Sequence, residues 1–143
     1  MSYWDTSALA KLYLQEDDSD VFRTRAVQDA PLHTAHLTRH ELRTVFLRRE
    51  SEGVIGAGGA ALLFQDFEED IAAGLILIQN ETTGVQQEFA DVLERCFLES
   101  PAVFIRTNDA LHIASARIAL QTLFVTADHR QRTAAAHVGL VTA

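Results

Sequence analysis

The chain has 143 residues, 48% hydrophobic and 22% charged, which fits one globular domain spanning 1–143 and excludes a disordered chain. Its longest strongly apolar run, Leu75-Ile76-Leu77-Ile78, is far too short to cross a membrane, Asp5 and Lys11 interrupt any signal-peptide core, and a lone Cys96 excludes an intramolecular disulfide or a cysteine zinc cluster, so a cytoplasmic setting is expected. The net charge of −8 disfavours nonspecific binding to phosphate backbones, yet every base except Lys11 is an arginine, and Arg39, Arg43, Arg48 and Arg49 share one segment.

Tyr3-Trp4 predicts a short first strand that reaches Asp5, and Thr6 and Ser7 offer hydroxyl caps to a helix through Ala8–Leu14. Ser19 to Gln28 predicts a second helix, ended by Pro31. Leu32 to Leu37 predicts a strand. Thr38 and Glu41 then have capping-box spacing ahead of a helix with Leu42, Val45 and Phe46 on one face and arginines on the other. Gly53 to Gly59 is a break, and Ala60 to Ala73 completes a helical hairpin that Gly74 ends. Leu75 to Ile78 predicts a buried strand. Helices follow at Thr83 to Leu98 and Ala110 to Leu120, then a strand at Leu123 to Thr126. A helix from Asp128 to about His137 and a short strand at Leu140-Val141 complete the chain. Strands alternating with helices imply an α/β sandwich around a largely parallel sheet, whose ligands bind at the carboxyl ends of the strands.

Four acids fall at helix starts: Asp5, Glu41, Asp109 and Asp128. Three of them follow predicted strands. Each alone is accounted for as a helix cap or a partner of the helix dipole. Together at one sheet edge they would repel unless they bind protons or a cation, and hard oxygen ligands select Mg²⁺ or Mn²⁺.

These residues carry a family resemblance. Tyr3 to Tyr13 resembles the opening of a PIN domain of the VapC toxin type. Thr38-Arg39-His40-Glu41-Leu42 resembles its second acidic motif, with Arg39-His40 more polar than is usual there. Arg106-Thr107-Asn108-Asp109-Ala110-Leu111-His112-Ile113-Ala114 is similar to the third, and Phe124-Val125-Thr126-Ala127-Asp128 to the fourth. The resemblance implies a PIN-like three-layer sandwich with a five-stranded sheet ordered roughly 3-2-1-4-5. It implies a metal-dependent endoribonuclease using Mg²⁺ or Mn²⁺, with Asp5, Glu41, Asp109 and Asp128 as catalytic metal ligands. Thr6, Ser7 and Thr126 would be supporting hydroxyls. It further implies an RNA substrate, a homodimer and a neutralising VapB-like antitoxin. The alternative is a catalytically idle PIN-like scaffold that only binds a partner.

Other motifs carry less. Gly56 to Ala61 matches a dinucleotide-binding pattern, but a helix rather than a strand precedes it. His112, three residues after Asp109, reads as a packed or supporting residue, and Cys96 as core. Ser7 lacks a nucleophile elbow, and Ser7 also stands where a haloacid-dehalogenase-type phosphatase would want a second Asp. Arg39 and Arg43 are candidate RNA-backbone contacts, or else a solvated helix face.

Overall fold

The computed structural model describes residues 1–143. In chain order the elements are β1 (Ser2–Trp4), α1 (Thr6–Tyr13), α2 (Ser19–Asp29), β2 (Leu32–Ala35), α3 (Leu37–Ser51) and α4 (Gly59–Ala72). They continue with β3 (Ile76–Gln79), α5 (Thr83–Phe97), α6 (Thr107–Ile118), β4 (Leu123–Val125), α7 (His129–His137) and β5 (Val141–Thr142). The strands form one sheet ordered β3-β2-β1-β4-β5, and every pairing is parallel. This is the α/β, three-layer architecture expected from the alternation of elements. The chain winds from β1 toward β3 on one side and then crosses to β4 on the other. The sheet's topological switch therefore lies between β1 and β4, where open α/β sheets bind ligands.

Alternation along β1 divides the core. Trp4 faces a cluster built with Leu9, Leu42, Phe46 and Phe67, from α1, α3 and α4. Tyr3 faces the opposite cluster with Val92, Cys96, Ile113 and Phe124, from α5, α6 and β4. Both side chains are fully buried, as is Cys96. A parallel strand covered by helices on both faces has no polar side, which is why Tyr3-Trp4 reads as an apolar stub and not as an alternating strand.

Several element ends differ from expectation; β3 and β5, for example, each lie one residue later than expected, at Ile76–Gln79 and Val141–Thr142. Strand β2 stops at Ala35, because α3 has already begun at Leu37. No capping box forms there: His36 occupies the cap position without a side-chain bond, while Thr38 and Glu41 turn inward to other partners. At α1 the cap is Asp5 itself, which accepts from the Ala8 amide, and neither Thr6 nor Ser7 takes that role. Helix α6 ends at Ile118 and not at Leu120. Its last turn closes with Leu120 N–H on the Arg117 carbonyl and Gln121 N–H on the Ala116 carbonyl, the paired bonds of a Schellman motif. Helix α4 closes the same way with Gly74 at the left-handed position, φ 75°, as α7 does with Gly139, φ 93°.

At the end of α6 that position is held by Leu120, with φ 55° and an exposed side chain. A Cβ in this region is strained, and an exposed leucine recovers little by packing. Leu120→Gly is expected to raise stability by about 0.5–1 kcal/mol, the relief of strain being partly offset by greater chain entropy in the unfolded state. The check is a urea melt, in which the midpoint should rise at constant slope.

Candidate active site

Asp5 leaves the carboxyl end of β1 and is 2% exposed. Burying a carboxylate is costly, and the surrounding donors offset that cost. The Ala8 amide donates to Oδ1 at 2.9 Å, Thr126 Oγ1 donates to Oδ2 at 2.7 Å, and Ser7 Oγ lies 2.9 Å from both oxygens. The two hydroxyls are themselves oriented from the far side. Ala127 N–H donates to Ser7 Oγ at 2.9 Å and Asp128 N–H to Thr126 Oγ1 at 3.0 Å. Backbone amides of the β4–α7 junction thus act on Asp5 through one hydroxyl each. Burial dominates all the same and pushes the Asp5 carboxyl above its ordinary range. Repulsion among the acids is not what raises it, contrary to what four facing carboxylates suggest.

Glu41 reaches inward from α3. Its Oε1 accepts from Thr6 Oγ1 at 2.7 Å and lies 2.6 Å from His112 Nε2, while Oε2 accepts from Asn108 Nδ2 at 3.2 Å. Burial pushes this carboxyl up, but the bonds from His112, Thr6 and Asn108 outweigh it and hold Glu41 below its ordinary range. His112 is buried, with Nδ1 2.8 Å from the Tyr3 hydroxyl. That hydroxyl accepts from the Ala35 amide at 3.1 Å, so its own proton is free to point at Nδ1. The network then assigns the imidazole proton to Nε2, donating to Glu41. His112 is packed between Tyr3 and Glu41, in keeping with the reading of it as a packed or supporting residue.

Asp109 lies in the first turn of α6 and Asp128 caps α7, where its Oδ1 accepts from the Arg130 and Gln131 amides at 2.8 and 3.3 Å. Arg106 spans the two: Nε is 2.8 Å from Asp109 Oδ2 and Nη2 is 3.0 Å from Asp128 Oδ2. These pairs hold the guanidinium's proton more tightly than usual, Asp109 contributing most.

All four predicted acids line one cavity of about 470 Å³, which Thr6, Ser7, His40, Arg48 and Arg106 also border. Thr126 stands behind Asp5, fully buried. The donor set is all-oxygen and anionic, which suits a hard divalent cation. Asp5 and Asp109, with Glu41 and Asp128 beside them, are the side chains that would hold one. As they stand, no three His, Cys, Asp or Glu side chains converge on one point, and the cation between Asp109 and Asp128 is Arg106.

Two predicted RNA contacts are engaged elsewhere. Arg39 makes a two-pronged bond to Glu68 on α4, at 2.8 and 2.9 Å, and Arg43 stacks 4.0 Å over the Phe64 ring. Arg48 borders the acidic cavity and Arg49 pairs with Glu16, whereas these two arginines of α3 are turned to the hairpin partner. This also accounts for the polar residue ahead of Glu41. The residues the sequence did not single out are Tyr3, Asn108 and Arg106. The i,i+3 spacing of Arg106 and Asp109 was the one available signal.

Comparison with known proteins places the site in context. A family model described as PIN domain matches residues 2–136. No curated protein matches the chain. Among solved structures, the chain is similar to Mycobacterium tuberculosis VapC20, described as a toxin that cleaves the sarcin-ricin loop. The TM-score is 0.70 at 17% identity, with 94% of this chain and 95% of that one covered. At this identity the likeness concerns the fold.

The Tyr3 hydroxyl generates a prediction. Tyr3→Phe keeps the stacked contact with the Phe124 ring but leaves the Ala35 amide and His112 Nδ1 without their partner in a buried setting. Stability is expected to fall by about 1–3 kcal/mol, the cost of unsatisfied buried polar groups. Chemical denaturation of both proteins measures it; a loss below a few tenths would mean that water or a rotated His112 replaces the hydroxyl.

Proposed function

The chain belongs to the PIN domain family, and on that premise we propose that it is an endoribonuclease dependent on Mg²⁺ or Mn²⁺, acting in the cytoplasm as the toxin of a VapBC-type toxin–antitoxin pair. The observation that carries this reading is the convergence of Asp5, Glu41, Asp109 and Asp128 on one cavity at the carboxyl edge of the sheet. The fold shared with VapC20, a toxin that cleaves the sarcin-ricin loop, supports RNA as the substrate class.

A divalent ion bound there supplies Lewis acidity toward a phosphodiester oxygen and makes water a better nucleophile. The chain's own residues supply placement. Ser7, Thr126 and the Ala8 amide fix both oxygens of Asp5, so that it presents one orientation to the cavity. Thr6, His112 and Asn108 do the same for Glu41 and keep it ionised at neutral pH. Asp109 and Asp128 border the same cavity with side chains 14% and 25% exposed, where an incoming phosphodiester would meet them. Prepaid orientation of this kind lowers the barrier without reorganisation during reaction.

The proposed partners are those the family resemblance implies, and the acidic cavity fits a basic one. An antitoxin of the VapB type would place a basic side chain near Asp5 and Asp109. Its apolar residues would cover the early helices, where Val21, Leu47 and Leu62 are exposed. A homodimer belongs to the same proposal. The competing view, an idle scaffold, draws on the neutralisation of Asp109 and Asp128 by Arg106.

Asp109→Asn separates these. It removes one charge and nearly preserves shape, so RNA cleavage with Mg²⁺ or Mn²⁺ should fall by about two orders of magnitude or more, while chelator silences the wild type equally. Stability in chelator should change by less than about 1 kcal/mol, because the lost Arg106 pair and the relieved repulsion oppose each other. Thermal melts beside a cleavage assay read both. A variant that cuts at the wild-type rate would make Asp109 a structural residue, and a wild type silent with either metal would leave the scaffold.

A further inference from the structure

Arg106 has no part in the function proposed above, yet it sits inside the acidic cavity. It is the cap residue of α6, with φ −84° and ψ 158°, and its side chain folds back over the first helical turn. One guanidinium then joins carboxylates carried by two different helices, α6 and α7. The pairing is selective. Asp5 is satisfied by hydroxyls and an amide, and Glu41 by Thr6, His112 and Asn108. Asp128 Oδ1 is committed to the start of α7. Oδ2 of Asp109 and Oδ2 of Asp128 accept no other hydrogen bond, and Arg106 takes both.

The arm is held by charge and not by packing: its side chain is 67% exposed. Exposed ion pairs are weak and screened, so such an arm can leave at little cost. A guanidinium between two carboxylates and a compact divalent ion on the same oxygens cannot coexist, and the ion carries twice the charge.

We propose that Arg106 is a built-in counter-ion of the acidic site, bridging Asp109 and Asp128 in the metal-free protein and displaced from them when a divalent cation binds. The proposal rests on the metal-dependent reading of the site. It gives the apo protein a way to hold two facing carboxylates together near neutral pH. It also sets metal affinity below what the carboxylates alone would give, because the ion must compete with a tethered cation.

Mn²⁺ titration by calorimetry of the wild type, Arg106→Gln, Arg106→Lys and Asp109→Asn tests it. Arg106→Gln should bind Mn²⁺ roughly fivefold tighter than the wild type, the gain expected from removing two exposed pairs. Arg106→Lys should fall between, and Asp109→Asn should bind more weakly. In the wild type, the Arg106 Nε–H signal in nitrogen-15 NMR should be distinct in chelator and move to the position of free arginine on saturation with Mg²⁺. This second measurement decides the matter if either Arg106 variant fails to fold. Unchanged or weaker Mn²⁺ binding by Arg106→Gln, with Asp109→Asn impaired, would overturn the proposal and leave the metal site intact. So would an Nε–H signal indifferent to Mg²⁺ in a wild type that binds it. Failure of both wild type and Arg106→Gln to bind Mn²⁺ would overturn the proposal together with the metal-dependent reading.

Discussion

The Asp5 carboxylate, buried at the end of the central strand, is the constraint around which the rest of the structure is arranged. A charge in that position is tolerated only if its lone pairs are met, and the donors come from two distant parts of the chain. Ser7 and the Ala8 amide arrive with α1, immediately after β1. Thr126 arrives with β4, some hundred and twenty residues later, and is aligned by the register that sets Trp4 opposite Val125. Slipping β4 by one residue would turn Thr126 away and put its neighbour at the carboxylate. The β1–β4 pairing is thus a packing feature of the sheet and also the means by which Asp5 is held.

The four acids divide into two kinds. Asp5 and Glu41 are held by hydroxyls, amides and the His112 ring, which fix their direction. Asp109 and Asp128 share a cation, Arg106. The distinction matters because hydroxyl and amide donors leave a carboxylate's negative field in place, while a guanidinium offsets it. Structural and chemical roles also overlap in single residues. Asp5 caps α1 and Asp128 caps α7, yet both border the cavity. Capping accounts for why these helices begin where they do; it does not exhaust what the side chains face, since each carboxylate has two oxygens.

The helix hairpin of α3 and α4 shows the same economy in a different form. Two of its arginines are engaged locally, Arg39 by Glu68 and Arg43 by the Phe64 face, while Arg48 borders the acidic cavity. The hairpin's inward face instead delivers Leu42 and Phe46 to the core and Glu41 to the site, one residue apart on the same helix. Packing of Leu42 and Phe46 in the cluster with Trp4 and Phe67 therefore sets the depth at which Glu41 enters the cavity.

What the amino-acid order determined by itself was local and periodic. The alternation of apolar runs with helical stretches, the stops at Gly74 and Gly139, and acids following strand ends are all properties of short windows, and they sufficed for the α/β class and for naming Asp5, Glu41, Asp109 and Asp128. The order of motifs, through family resemblance, extended this to the sheet order and the supporting hydroxyls. The sequence misplaced the start of α3 because the Thr38–Glu41 spacing fits a capping box equally well, and only tertiary contacts with Thr34, Thr6 and His112 drew those side chains inward. It also could not show that Tyr3, Asn108 and Arg106 complete the site. Their partners are from 3 to 109 positions away, and hydrogen bonds of that kind depend on where separate elements meet in space. Helix and strand propensities act over a few residues, whereas the pairing of Arg106 with Asp128 exists only once β4 has docked on β1 and α7 has turned its first amides toward the cavity.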